Sequence, residues 1–446
     1  MPDRFGLTPL QQIVFGFFLL ILSGAILLTL PAAVSAEHSQ SFLDALFCAT
    51  SAVTTTGLIV VDTGSYYSRF GQLVILILFQ IGGLGYMLLI ALVISGLGGR
   101  LSISGRMLLR ESLTKPPKVE MLRFSRFILG LTLVIELLGA MGLAGLWWDK
   151  VPPGEAIFQG VFHSVSAFCT AGFSLSAESM AGFREHPAMH LLIDLETLLG
   201  GLGFLVLYEL GGMFVRKTPG TGTLGLSLHT RLVLRTTFLL ALSGTVLVWL
   251  DSRSLPALDS GAQRWLDASF HALSASTTTG FFVTDIASLP AAALWVMIGL
   301  MFIGASPGGS GGGIKTLSLV VILAYLRSHL AGREETLVGK NRVSLKVVQK
   351  ALSLTLLAIL WVVAATAILL FTESAGVMDV LFEVVSALGT VGLSTGLTSA
   401  LSPAGKILII CSMFIGRLGP LAIGYSLLGR SGVNHSSYPE AGLMVG

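Results

Sequence analysis

Four stretches of this chain end in the same small constellation of threonine and glycine. They read FCATSAVTTTGL (Phe47–Leu58), FHSVSAFCTAGF (Phe162–Phe173), FHALSASTTTGF (Phe270–Phe281) and FEVVSALGTVGL (Phe382–Leu393). All four fit F-x-x-x-S-A-x-x-T-x-G-[LF], and the glycines Gly57, Gly172, Gly280 and Gly392 lie 115, 108 and 112 residues apart. Neither residue type suggests covalent catalysis. Glycine reaches positive φ at little cost, so consecutive carbonyls can face one way. The threonine two residues earlier (Thr55, Thr170, Thr278, Thr390) adds a hydroxyl below them. Rings of carbonyl oxygens that replace a hydration shell are how a protein selects a monovalent cation. The alternative is four glycines capping ordinary helices. Four evenly spaced copies in one apolar chain favour the ring. The serines Ser51, Ser166, Ser274 and Ser386, with the alanines after them, read as packing residues.

The elements that would position such a ring belong to a membrane. Hydrophobic residues make up 53% of the 446, charged ones 11%, and mean hydropathy is +0.84; ordinary domains carry about 25% charged residues. Each motif is flanked by apolar stretches near the ~20 residues that span a bilayer: Ile13–Leu30 and Leu73–Ile94, Phe127–Trp148 and Met189–Phe214, Leu232–Leu250 and Leu294–Leu326, Leu352–Phe371 and Ile407–Leu428. The segment ending at each motif is too short to cross and reads as re-entrant. The expected fold is therefore an all-α polytopic membrane protein of four span–pore-loop–span repeats, with eight full spans and four re-entrant helices around a central pore. Its units are residues 1–99, 100–214, 215–327 and 328–430, followed by a tail, 431–446. The first apolar run reads as a retained span, without the flanks of a signal peptide.

Charge sets the expected orientation. The loops between repeats and the two ends hold 19 of the 27 basic residues, while most acids fall on the motif side. The positive-inside rule puts the termini and basic loops in the cytoplasm and brings the motifs in from outside. An acidic mouth would enrich cations. Cys48, Cys169 and Cys411 are too scattered for a disulfide framework or metal site and read as packing residues.

A second glycine-rich feature interrupts the third repeat, IGASPGGSGGGIKT at residues 303–316. Each glycine costs a helix about 1 kcal/mol against alanine, and Pro307 breaks it further. The run misses a nucleotide-binding loop because Ile314 separates Gly313 from Lys315 and no strand precedes it. A kink and a functional loop both remain open. Arg417, in IGRLGP of the last apolar stretch, must face protein or water: it is pore-facing, snorkelling, or paired with an acid. Lys315 could end the broken helix near the cytoplasm. Glu136, Asp194, Glu196 and Glu209 lie in or near spans without an assignable role.

With these motifs the sequence resembles, over essentially its whole length, the Trk/Ktr/HKT superfamily of potassium transporters, most like its KtrB type. The resemblance implies a potassium filter of Thr54, Thr55, Thr56, Gly57; Cys169, Thr170, Ala171, Gly172; Thr277, Thr278, Thr279, Gly280; and Gly389, Thr390, Val391, Gly392. It also implies an intramembrane gate at Ser306, Pro307, Gly308, Gly309, Ser310, Gly311, Gly312 and Gly313, with Arg417 facing it. Repeats two and four depart from TTTG, which implies looser discrimination against sodium. Potassium is then the transported ion and sodium a candidate activator, with no covalent cofactor. The expected partners are a second copy of the chain in a homodimer, the bilayer of the cell membrane, and a KtrA-like cytoplasmic ring that binds the regulatory nucleotide; nucleic acid is not expected. The basic loops and the tail SSYPEAGLMVG could supply the ring's contacts. Rival readings are a sodium-selective or sodium-coupled carrier and, more remotely, a polytopic membrane enzyme. An enzyme would need converging His, Asp or Glu side chains. The repeated His163 and His271 instead suit capping or packing.

Overall fold

The computed structural model describes residues 9–35, 40–85, 121–215, 226–251 and 260–419. Most of the first basic loop, Arg216, Lys217 and the tail lie outside the described residues. Regular structure among the described residues is helical apart from a hairpin of two-residue strands, β1 (Leu337–Val338) paired antiparallel with β2 (Asn341–Arg342), and an isolated bridge between Val34 and Tyr67.

One order of elements recurs along the chain. A long apolar helix comes first: α1 (Pro9–Leu28), α4 (Met121–Trp147), α8 (Leu228–Asp251) and α12 (Leu345–Thr372). A short helix ending at each T-x-G follows: α2 (Phe42–Val53), α5 (Pro153–Phe168), α9 (Gly261–Thr277) and α13 (Val377–Gly389). The last element in each case is α3 (Arg69–Leu84), the pair α6 (Pro187–Gly201) and α7 (Phe204–Val215), the pair α10 (Ala291–Ile303) and α11 (Thr316–Leu330), and α14 (Pro403–Leu418). Among the described residues four helices are long and apolar enough to cross a membrane, or five with α6 and α7 as one broken span.

Burial is reversed from that of a water-soluble bundle. The long helices turn Phe18, Leu137, Phe238 and Val363 outward at 52 to 65% exposure, which suits lipid and not water. The short helices are enclosed: eight of the twelve residues of α2 are buried. Their starts are capped where the sequence allows it, Ser41 accepting from Asp44 N at 3.1 Å and Ser260 from Gln263 N at 3.1 Å.

The packing runs in a circle. The helix after each loop lies against the next short helix: α3 on α5, α6 on α9, α10 on α13, and α14 back on α2. In three of the four copies an ion pair from the part after the loop also reaches the next short helix. Arg69 meets Glu155, Arg184 meets Asp267 at 2.8 Å, and Lys406 meets Asp44 at 2.6 Å.

The sequence reading expected only the third closing span to be broken, and here the structure corrects it. The stretch Met189–Phe214 bends by 104° between α6 and α7. Its cause is Gly203 at φ +97°, and the same device ends α3 at Gly85 (φ +77°) and α14 at Gly419 (φ +84°). The signal is a repeated tetrapeptide, GGLG at 82–85 and at 200–203 and GRLG at 416–419. In the third copy the helix ends at Gly304, φ +70°.

Candidate functional site: a ring of four loops above a glycine-rich segment

Each short helix ends in one and the same turn. The amide of the residue before each glycine reaches back five residues: Thr56 N to Ser51 O at 2.8 Å, Ala171 N to Ser166 O at 2.8 Å, Thr279 N to Ser274 O at 2.9 Å and Val391 N to Ser386 O at 2.9 Å. That closure requires a left-handed residue between, a place glycine usually takes. Here it is threonine four times: Thr55 at φ +52°, Thr170 at +49°, Thr278 at +59° and Thr390 at +49°. A left-handed β-branched residue costs of order 1–3 kcal/mol and persists only where its surroundings hold it. Gly57, Gly172, Gly280 and Gly392 then follow at φ between +66° and +96°.

The loops close on one another. A β-carbon on Gly57 would collide with the Ala171 carbonyl oxygen, one on Gly172 with that of Thr279, one on Gly280 with that of Val391, and one on Gly392 with that of Thr56. Each glycine thus abuts the carbonyl that precedes the next glycine, and the fourth returns to the first. The four glycines line one cavity of about 300 Å³ together with Asp62, Asp285, Ser174 and Ser394. Thr54, Cys169, Thr277 and Gly389 sit one step further back, at the helix ends, and are equally buried.

The motif serines do more than pack. Ser274 Oγ accepts from Gly280 N at 3.0 Å, Ser386 Oγ accepts from Gly392 N at 3.1 Å, and Ser166 Oγ donates to Phe173 O at 2.9 Å. Only the Ser51 hydroxyl makes no hydrogen bond among the described residues. The cysteines also divide: Cys48 and Cys169 are buried, Cys411 is exposed.

Directly under the ring lies the segment from Gly304 to Lys315. Its backbone is fastened to the break between α6 and α7: Ser306 N donates to Gly201 O (3.1 Å), Ser310 N to Gly200 O (3.2 Å), and Phe204 N to Gly308 O (2.9 Å). Pro307 and Gly309 press on the same break, where a β-carbon at Gly309 would lie 2.8 Å from Gly200 O. Ser306 Oγ is shared by Thr237 and Thr316, both at 3.2 Å. Gly313, at φ +78°, is packed against Gly304.

The hydroxyls of the left-handed threonines meet this segment. Thr55 Oγ1 donates to Ser310 O at 3.3 Å, Thr170 Oγ1 to Ser310 Oγ at 3.1 Å, and Thr278 Oγ1 accepts from Gly312 N at 2.9 Å. Thr390 Oγ1 has no partner among the described residues, although a β-carbon on Gly312 would strike it. On Gly311 a β-carbon would strike Thr278. Glycine is needed here because the segment runs against the ring with no space for side chains.

Two cations hold the segment from below. Arg417 donates from Nη1 to Ser310 O and from Nη2 to Gly82 O, with no carboxylate in ion-pair range among the described residues. It occupies the place that Gly83 and Gly201 hold in the other GxLG breaks. Lys315 stands at the start of α11, and its ammonium donates to Gly311 O and to Gly312 O at 3.3 Å. Two of the unassigned acids, Glu136 and Glu196, lie buried behind the second loop with Gln80, Ser164 and Cys169. Glu209 caps α8, accepting from Ser227 N at 3.2 Å and from Thr230 Oγ1 at 2.6 Å.

A continuous ring of backbone on a lipid-facing helical frame defines a multi-pass membrane protein. Residues 8–427 match the TrkH family of cation transport proteins, and the chain belongs to that family. It is 35% identical over 443 residues to the Ktr system potassium uptake protein B of Bacillus subtilis, covering 98% of this chain and 97% of the relative. The protein of the same name from Vibrio alginolyticus is 37% identical, with 97% and 94% covered. The potassium/sodium uptake protein NtpJ of Enterococcus hirae is 33% identical, with 99% and 98% covered. In fold the chain is similar to the crystal structure of the potassium transporter TrkH from Vibrio parahaemolyticus, with a TM-score of 0.72 at 22% identity over 94% of this chain and 84% of that one. These relatives are transport proteins, and the chain is not an enzyme.

Proposed function

We propose that this chain is the ion-translocating membrane subunit of a potassium uptake system. Four linked units, at 1–99, 100–214, 215–327 and 328–430, cross the membrane eight times, with the termini in the cytoplasm. Potassium enters from the acidic side and sheds water against the carbonyls of Thr54–Gly57, Cys169–Gly172, Thr277–Gly280 and Gly389–Gly392. The observation that carries this reading is the closed circle of glycines, each lying against the carbonyl before the next. The glycines bring no side chain of their own, so the surface they offer an ion is backbone oxygen, the chemistry of potassium selection. Residues 306–313 are the gate, held shut by Arg417 and by the threonine hydroxyls. Two copies form a homodimer on a cytoplasmic nucleotide-binding ring.

The test is growth of a host lacking its own potassium uptake systems, on low potassium, with and without a regulatory subunit. Restored growth is expected with both present, and its absence from well-expressed protein refutes the reading. A second reading, sodium selection or coupling with sodium, is favoured by the name of the Enterococcus hirae relative. Flux measured with defined salts on each side separates the two, and also tests sodium as an activator.

A further inference from the structure

The second residue of the motif is of three types in the four copies, Cys48, His163, His271 and Glu383. All four side chains are buried, between 0 and 2% exposed. Each reaches forward to the segment leaving its own loop. His163 Nε2 faces Ser174 Oγ at 3.0 Å and Leu175 N at 3.3 Å. His271 Nε2 faces Val283 N at 3.4 Å and Thr284 Oγ1 at 3.5 Å. Glu383 accepts from Ser394 Oγ, and from Thr398 Oγ1 at 2.7 Å. Cys48 is buried in one cluster with Tyr67, nineteen residues ahead. A histidine in two copies and a glutamate in a third thus make the same connection, eleven to fifteen residues ahead.

We infer that this position is a positioning residue for ion selection: it pins the exit segment of each loop and thereby fixes the mouth that the ring glycines share. The inference rests on the reading of the ring as a potassium filter. Its targets are not remote from the ring. Ser174 and Ser394 follow Gly172 and Gly392 by two residues, and both line the cavity that the four glycines line, as does Thr398. Displacing either serine must therefore turn the peptide next to a ring glycine.

Hydrogen-bond chemistry makes the connection specific. His163 Nδ1 lies 2.8 Å from Gln159 O one turn back, and a carbonyl only accepts, so Nδ1 carries the proton. Nε2 is then an acceptor for the Leu175 amide, and Trp147 stacks on the ring with centroids 4.9 Å apart. Glu383 gathers two hydroxyls on one carboxyl group. A thiol is a weak donor and acceptor, so the first copy is held least firmly. The four sides of the mouth are unequally rigid.

The experiment measures the potassium-to-sodium flux ratio of purified protein in liposomes for wild type, H163L, H163Q, E383L, E383Q and S394A. Leucine removes the acceptor while keeping bulk, and glutamine returns an acceptor at about the same reach. The ratio is expected to fall about fivefold in H163L and E383L, the factor carried by one hydrogen bond of typical strength, and to recover in the glutamine variants. S394A removes the Glu383 contact from the partner's side, at a part-buried residue, and is expected to shift the ratio in the same direction as E383L. If S394A and the folded leucine variants keep the wild-type ratio, and only yield falls, the position is a folding residue and the inference is overturned. A wild-type protein that passes potassium and sodium alike overturns the filter reading itself, and is seen before any variant is compared.

Discussion

Replacing Arg417 by glutamine tests the lower half of the site most directly. The guanidinium donates to Ser310 O, and Thr55 donates to that same carbonyl oxygen at 3.3 Å, so one carbonyl separates the charge from the threonine layer. A cation at that layer is then ~6 Å from the guanidinium, where two unit charges at an effective dielectric near 20 repel by roughly 3 kcal/mol. Water and the surrounding carbonyls reduce this. If about 1 kcal/mol survives, flux changes about fivefold. The substitution also weakens a charge-assisted bond of about 1.5–3 kcal/mol that holds Ser310 in place, and both effects favour passage. Folding should survive, because Arg417 meets carbonyls and leaves no stranded acid. The assay is rubidium or potassium uptake by reconstituted protein, normalised to the monodisperse fraction. Higher flux per folded molecule is expected. A well-folded variant with equal or lower flux refutes the barrier, and poor expression would mean that the guanidinium is structural.

Serine at Gly57, Gly172, Gly280 or Gly392 should lower the potassium-to-sodium ratio or prevent folding, since its β-carbon meets the neighbouring carbonyl; four folded variants with unchanged ratios would contradict the closed ring. Deleting Ser310–Gly312 should raise flux and loosen its dependence on a regulatory partner, read as uptake with and without that partner. Thr278→Val removes the acceptor for Gly312 N and should raise flux about fivefold, the typical worth of one hydrogen bond. Thr390→Val removes a hydroxyl without a partner and should leave uptake near wild type. Equal effects from the two valines would show that the hydroxyls act on the ion and not on the segment below.

The T-x-G loops were legible because they need glycine at fixed places and the chain writes that need four times. The left-handed threonines were not, since a β-branched residue is a poor sequence signal for positive φ. Ser166, Ser274 and Ser386 looked like small packing residues because a hydroxyl bonded to nearby backbone has the size and spacing of a packing contact. The helix ends at Gly85 and Gly419 and the break at Gly203 were spelled out as GGLG and GRLG, yet they sit inside apolar runs whose average hydropathy reads as unbroken helix. The third break stood out because proline and six glycines cannot be averaged away. The sequence could place Arg417 in a span but not choose between an acid and a carbonyl as its partner, because that choice depends on how closely α14 approaches α3.

The closing contact of the circle, from Gly392 and Lys406 back to Thr56 and Asp44, has a consequence for how such a protein can change. A ring of four identical chains has every ligand encoded once, so any substitution is made fourfold, and a long insertion under the ring would meet three copies of itself on the axis. Here each quadrant has its own codons. One quadrant can carry the lone glycine-rich segment and another the arginine that holds it. Four linked copies that differ in sequence make a central, unrepeated part available to a recurring frame.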